Sequence, residues 1–346
     1  MSIWNEEEKA ILLISAHWNK IETMQRFRPL GSQPTLQAHE RGIWCLSHRD
    51  EQNCTPPLLA TGDEEGLIKL WKPPLQEETD RDAVVEEWKT LQGHSFAIIS
   101  VAFQPKGDLL ASSSLDGTIR LWQSSSGHLQ RTIDVNIAEA WDLAFDPQGK
   151  VIVSGGHSGV VSIWDVETGS LQKSLETESN NKFIFAVAFS PDGKWLVCST
   201  SDGTIQVFDW MTQSRLKTLK GQKLFVRSLC FSPTAPYLLF AACDDKLIHI
   251  YDVEHGEMVA SLRGHQEGVN VVDVSSNHGH FMASGSVDRS VKIWDCRQRE
   301  SIYFHDLHKE QVWGVEFCVE SSRLISVGDD GIMVCVDCSA ADVVVS

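Results

Sequence analysis

One unit recurs seven times along this chain of 346 residues. Its clearest copy is GHSFAIISVAFQPKGDLLASSSLDGTIRLW, residues 93 to 122. Alternating apolar residues predict a strand over Ile98 to Phe103, which Pro105, Lys106 and Gly107 end. A second strand is predicted over Leu109 to Ser113. Asp116-Gly117 between two alternating runs is a hairpin signal, and it leads into a third strand, Thr118 to Trp122. Residues 127 to 133 supply a fourth. Aligned on Trp122, the third strands end at Trp71, Trp164, Phe208, Tyr251, Trp294 and Val336, at intervals of 51, 42, 44, 43, 43 and 42 residues. A sheet of four strands leaves an apolar face wet when it stands alone, so units this regular must bury their faces against one another.

The period and the closing residues resemble the WD-repeat family from about residue 31 to the end. Trp164-Asp165 and Trp294-Asp295 carry the naming dipeptide, with Phe208-Asp209, Tyr251-Asp252 and Val336-Asp337 as degenerate forms. The resemblance implies an all-β fold, a seven-bladed β-propeller over residues 31 to 346, behind an N-terminal extension of residues 1 to 30. In that extension, Trp4 to Phe27 holds helix formers in an untidy period. A short helix and a loosely docked tail both remain open.

The last repeat runs out of chain after three strands, near Asp337. A sheet edge left open there would invite pairing with other chains. In propellers of this family an N-terminal strand completes the last blade. Thr35-Leu36-Gln37-Ala38 stands where Arg131-Thr132-Ile133 stands in its own repeat, so it is expected to pair with the strand ending at Val336. Repeat one carries an excess over Pro73 to Glu87, where two prolines and six acidic residues read as an exposed loop.

The formal charge of −17 argues against a phosphate-binding surface and favours basic partners, so no direct contact with nucleic acid is expected. Residues 6 to 8 are Glu where a secretory signal wants positive charge, and Ala10 to Ile14 is too short to span a membrane. The nine cysteines therefore read as reduced thiols, with Cys45, Cys198, Cys230 and Cys335 as small core residues on strands. Cys335 and Cys338 form a lone CxxC. A zinc site needs two more ligands, and none is spaced for it. No metal and no cofactor are expected.

His94, Ser112, Asp116 and Trp122 occupy the family's structural tetrad positions, and His265, Ser284, Asp288 and Trp294 repeat them in blade six. The resemblance implies a buried chain in which Asp orients the imidazole, the imidazole meets the Ser hydroxyl, and the hydroxyl meets the indole. His39, Thr61, Glu65 and Trp71 read as a variant in blade one. His308, Ser326 and Asp330 read as another in blade seven, with Val336 for the Trp. Asn136, Asn180 and Gln222 replace the His in blades three, four and five. Ser, His and Asp together also suggest a hydrolase. Recurrence in several blades, a mid-strand Ser and the lack of an oxyanion-hole motif favour the structural role, and the chain reads as a non-enzyme.

Function in a propeller belongs to rims and loops, because strands serve packing. Five residues after the His position, near the start of each innermost strand, come Trp44, Ile99, Trp141, Phe185, Arg227, Asn270 and Trp313. Two residues earlier come Gly42, Ala97, Glu139, Phe183, Phe225, Gly268 and Gln311. Trp44, Trp141, Phe183, Phe225, Arg227 and Trp313 are therefore candidates for partner binding at one mouth of the channel. The competing reading packs some of them between blades, and alternation assigns Phe185 and Ile99 there. Glu64, His157, Ser201, Asp244, Val287 and Asp329 should flank the mouth. A peptide with an aromatic and a basic residue would suit it.

More specific strings run through blades two to seven. They are Ser112 to Asp116 (SSSLD), Ala140 to Phe145 (AWDLAF), Lys182 to Lys194 (KFIFAVAFSPDGK), Val226 to Leu229 (VRSL), Gln311 to Val315 (QVWGV) and Ser326 to Asp330 (SVGDD). In this order they are similar to the WD-repeat subunits of the superkiller (Ski) complex. That resemblance covers residues 31 to 338. It implies a monomeric scaffold that holds a tetratricopeptide-repeat protein and a helicase together and feeds messenger RNA to the cytoplasmic exosome. It also implies subunits of the nuclear polymerase-associated factor complex as partners, with residence in both cytoplasm and nucleus. Trp294-Asp295-Cys296-Arg297 leaves an alternative, a substrate receptor of a cullin-RING ubiquitin ligase.

Overall fold

A computed structural model describes residues 28–29, 35–49, 57–72, 85–136, 139–178, 182–222, 224–276, 280–318 and 323–338. All regular structure among them is β-strand. The strands make seven antiparallel sheets. In blade two, Ile98–Phe103, Leu109–Ser114, Thr118–Gln123 and Leu129–Asp134 follow in order from the channel outward. The turn between the second and third strands needs a left-handed residue, and Gly117 supplies it at φ 78°.

The innermost strands stand side by side around the ring. They are Ile43–Arg49, Ile98–Phe103, Asp142–Phe145, Ile184–Phe189, Val226–Phe231, Val269–Val274 and Val312–Cys318. The last packs against the first, which closes the circle. The core lies between sheets. Seven apolar clusters occupy the seven junctions between blades: Phe281 and Ile293 of blade six meet Val312 and Leu324 of blade seven, and Ile43 and Leu59 of blade one meet Ile325 and Val327 of blade seven. Each blade thus depends on both neighbours.

Closure uses the N-terminal segment. Thr35–Gln37 pairs antiparallel with Ile332–Asp337, with Thr35 opposite Val334 and Gln37 opposite Ile332. A second short piece, Arg28–Pro29, pairs further along the same strand, opposite Asp337 and Val336. The extension assigned to residues 1 to 30 therefore gives two residues to the last sheet. The paired edge begins earlier than Thr35 because six residues of the third strand need an outer partner. The helix reading of Trp4 to Phe27 lies outside the described residues. The loop reading of Pro73 to Glu87 is corrected at its end. Glu86 and Glu87 open the strand Glu86–Leu91, whose outer face tolerates charge, and Glu87 holds Lys69 at 2.9 Å.

Candidate protein-interaction site

In blade two, His94 Nδ1 donates to Asp116 Oδ2 at 2.8 Å. Ser112 Oγ donates to His94 Nε2 at 2.8 Å and accepts from Trp122 Nε1 at 2.9 Å. In blade six, the matching distances are 3.0 Å for His265 to Asp288, 2.7 Å for His265 to Ser284 and 2.8 Å for Trp294 to Ser284. Blade seven joins His308 to Ser326 at 2.9 Å and to Asp330 at 3.3 Å. Burial pushes the His94 and His265 imidazoles below their usual range, against the pull of the neighbouring carboxylates. Desolvation raises Asp116 and Asp288, but hydrogen bonds from the imidazole, from Thr118 or Ser290 and from backbone amides outweigh it, so both lie below the usual carboxylate range.

Blade one corrects one assignment. Its acid is Asp63, at 2.8 Å from His39 Nδ1, and Glu65 turns outward to Arg41 at 3.1 Å. Asp63 sits two residues earlier, at the end of its strand, and also accepts from the amides of Glu65 and Leu67, so it fills the turn that Asp116 fills in blade two. Thr61 completes the blade-one chain, at 2.7 Å from His39 Nε2 and 2.8 Å from Trp71 Nε1. Asn180, at the blade-four His position, lies outside the described residues.

Ser112 is fully buried with both neighbours engaged, so its hydroxyl faces no substrate path. Ser112→Ala should strand the Trp122 indole and the His94 ring and lower stability by about 2 kcal/mol. A thermal melt equal to wild type would contradict that.

At the mouth of the channel, Trp44, Ile99, Trp141, Phe185, Arg227, Asn270 and Trp313 line one cavity of about 360 Å³. All seven positions of the register thus converge. The reason is a bulge. In six innermost strands the pairing slips at this residue, between Ile43 and Cys45, Ile98 and Ser100, Ile184 and Ala186, Val226 and Ser228, Val269 and Val271, and Val312 and Gly314. A bulge breaks the two-residue alternation and re-aims one side chain. That corrects the placement of Phe185 and Ile99 between blades, and it identifies Phe185 and Asn270 as residues the alternation argument missed.

The mouth has two unlike sides. Trp141, Phe183, Phe185 and Phe225 form a continuous aromatic run, with centroids 5.1, 4.8 and 5.0 Å apart. Phe225 is 41% exposed. Arg227 lies over Phe185 at 6.0 Å and is held by both Asp244 oxygens at 2.5 and 2.9 Å. Across the channel, Trp44 Nε1 donates to Asp329 at 3.0 Å, and Gln311 donates to the other Asp329 oxygen at 3.1 Å. Trp313 Nε1 and Asn270 Oδ1 have no hydrogen-bond partner. His157 flanks Phe183 at 6.3 Å. The loop residues just before the acid position are pinned by amides: Asp244 N to Phe225 O, Ser201 N to Phe183 O and Asp329 N to Gln311 O. Inside the channel, Asp142 accepts from Ser100 and from the Val187 amide, each at 2.9 Å, and so ties three blades together. Desolvation raises its carboxyl to about 6.

Six segments match the family model described as "WD domain, G-beta repeat": residues 31–72, 86–123, 126–165, 169–209, 213–252 and 256–295. The chain belongs to the WD-repeat family. A WD-repeat-containing protein of Schistosoma mansoni, SL1-17, is 34% identical over 311 residues, 88% of this chain and 97% of that protein. Two others match over shorter stretches. The superkiller complex protein 8 of Dictyostelium discoideum is 39% identical over 72 residues, 21% of this chain and 24% of its own. The U5 small nuclear ribonucleoprotein 40 kDa protein of the same organism is 35% identical over 115 residues, 33% of this chain and 32% of its own. WD-repeat propellers are scaffolds for protein–protein interaction, and the matched model points to no enzymatic family. The three inner strands of the seventh blade fall outside the matched segments, while its outer strand, Thr35–Gln37, lies within the first of them. The third strand ends in Val336 instead of Trp, and the blade is divided between the two ends of the chain, so its linear pattern is weak.

Arg297, of the WDxR string, is folded back on Asp295 at 3.1 Å while half of its side chain stays exposed. Of the CxxC pair, Cys335 is half-buried, whereas Cys338 is buried with its thiol aimed at Val336 O. Among the described residues no helix is long and apolar enough to cross a membrane.

Proposed function

We propose that this WD-repeat propeller is a non-catalytic scaffold of the superkiller complex, with a second place in the nuclear polymerase-associated factor complex. Its partners dock as short peptides on the mouth formed by Trp44, Trp141, Phe183, Phe225, Arg227 and Trp313. One observation carries the docking reading: seven bulged or strand-opening side chains turn into a single cavity, with the Phe183–Phe225 aromatic run beside it on one flank and the Asp329 carboxylate beside Trp44 on another. A segment with one aromatic and one basic residue fits both sides, and the net charge of −17 favours its approach. The strings from Ser112 to Asp330 and the Dictyostelium match support the choice of complex. On this reading the protein works in cytoplasm and nucleus and binds no nucleic acid itself.

Affinity purification of the tagged protein, read by mass spectrometry, tests the reading. A tetratricopeptide-repeat protein with a helicase is the expected recovery. Recovery of a cullin-RING ligase adaptor instead, lost on Arg297→Ala, would replace it with the substrate-receptor reading.

A further inference from the structure

Blade five puts different chemistry where the other blades keep the tetrad. Gln222 stands in the His place, Ala241 in the Ser place and Tyr251 in the Trp place. The hydroxyl that would link the ends is gone. Gln222 is only 7% exposed, and neither end of its amide has a hydrogen-bond partner. The hydroxyl of the fully buried Tyr251 faces the Gln222 amide closely enough to feel it but without the geometry of a hydrogen bond to it or to any other group. An unpaired buried polar atom destabilises a fold, so three of them in one place need an account.

Beside them three metal-binding groups converge. The Cys243 thiol, an Asp245 carboxylate oxygen and a ring nitrogen of His249 lie within 4.8 Å of one another. Cys243 ends the strand Leu238–Cys243, Asp245 sits in the turn, and His249 lies on Leu247–Asp252, opposite Ala241. His249 Nε2 is 2.8 Å from Asp245 Oδ2, and His249 Nδ1 is 2.8 Å from Ser261 Oγ.

We propose that Cys243, Asp245 and His249 form a Zn²⁺ site, completed by the amide oxygen of Gln222 or the hydroxyl of Tyr251. Zinc takes this mixture of sulfur, nitrogen and oxygen donors in fourfold coordination, whereas Ca²⁺ and Mg²⁺ want oxygen alone. Ser261 accepts from His249 Nδ1–H, which fixes the tautomer and leaves Nε2 as the ligand. On binding, the sulfur–zinc bond forms as the thiol proton leaves for solvent, the proton held between His249 Nε2 and Asp245 Oδ2 leaves with it, and the carboxylate turns from the imidazole to the metal. The site would fasten the hairpin of blade five as the His-centred chains fasten blades one, two and six.

Cobalt is the probe. Chelator-stripped full-length protein titrated with Co²⁺ should develop a sulfur-to-cobalt absorption band that saturates at one equivalent and is displaced by Zn²⁺. Cys243→Ser should abolish the band, while Cys335→Ser keeps it. His249→Gln retains hydrogen bonding to Asp245 and Ser261, so it folds, and it should weaken Co²⁺ binding by about tenfold or more. Zn²⁺ should also raise the melting temperature of wild type by more than that of His249→Gln at the same metal concentration. A band that survives Cys243→Ser, no band in wild type, or equal Co²⁺ affinity in wild type and His249→Gln overturns the site.

Discussion

Asp288→Ala is expected to destabilise the fold by about 3 kcal/mol at neutral pH. Asp288 accepts from His265 Nδ1 at 3.0 Å, from the Gln266 amide at 2.8 Å, and from the Ser290 amide and hydroxyl. Alanine leaves all four donors behind. The His265 ring is fully buried, so water cannot replace the lost acceptor. Ser290 Oγ stands 3.2 Å from His265 Nδ1 and can turn to accept from it, which keeps the loss below that of a bare buried charge. Urea denaturation at pH 7 should show an earlier midpoint, and an unchanged one would contradict the structural role of the tetrad.

The pH dependence sharpens the test. Hydrogen bonds hold the folded Asp288 carboxyl below its ordinary value of 3.8. Its contribution is therefore present above that value and is lost as pH falls toward the folded pKa. The gap between wild type and Asp288→Ala should narrow below about pH 4. His265, held down by burial, adds stability that is complete above its unfolded value of 6.5 and fades as acid protonates it. Both proteins should therefore weaken from about pH 6 downward, before their difference closes.

Trp122 and the residues aligned with it made the ring legible, because a period near 43 residues holds from Trp122 to Val336 whatever each closing residue is. Ring closure was legible for a topological reason: three strands and an open edge demand a fourth, and Thr35 to Gln37 had the right place. Local departures were not legible. Asp63 and Glu65 are both acids near one turn, and only the backbone shows that Asp63 caps it while Glu65 faces solvent. Phe185 obeys strict alternation on paper, yet the slip between Ile184 and Ala186 turns it into the channel. A bulge adds no residue type that marks it, so its sign was the repeat itself: large or polar residues at one register of seven copies. Cys243, Asp245 and His249 have no metal-ligand spacing in the chain, and a hairpin is what brings them together.

Trp313→Ala is expected to leave the fold intact and to weaken docking of a partner protein, the proposed tetratricopeptide-repeat protein, about thirtyfold, equivalent to about 2 kcal/mol. Trp294 supplies the contrast. Its ring is 1% exposed, its Nε1 is given to Ser284, and it packs against Met282 in the junction between blades five and six, so its truncation would open a core cavity. Trp313 is half-buried, lines the channel mouth and is bound to no acceptor. Truncating it therefore removes contact area from the mouth, with no acceptor of the fold left unpaired. The neighbouring strand contacts come from Val312 and Val315, which stay in place. Titration of the purified partner against wild type and variant, alongside melts of both, separates the two roles. Equal affinity at equal stability would move the docking surface away from the channel mouth. Lost affinity with a lowered melting temperature would make Trp313 a packing residue like Trp294.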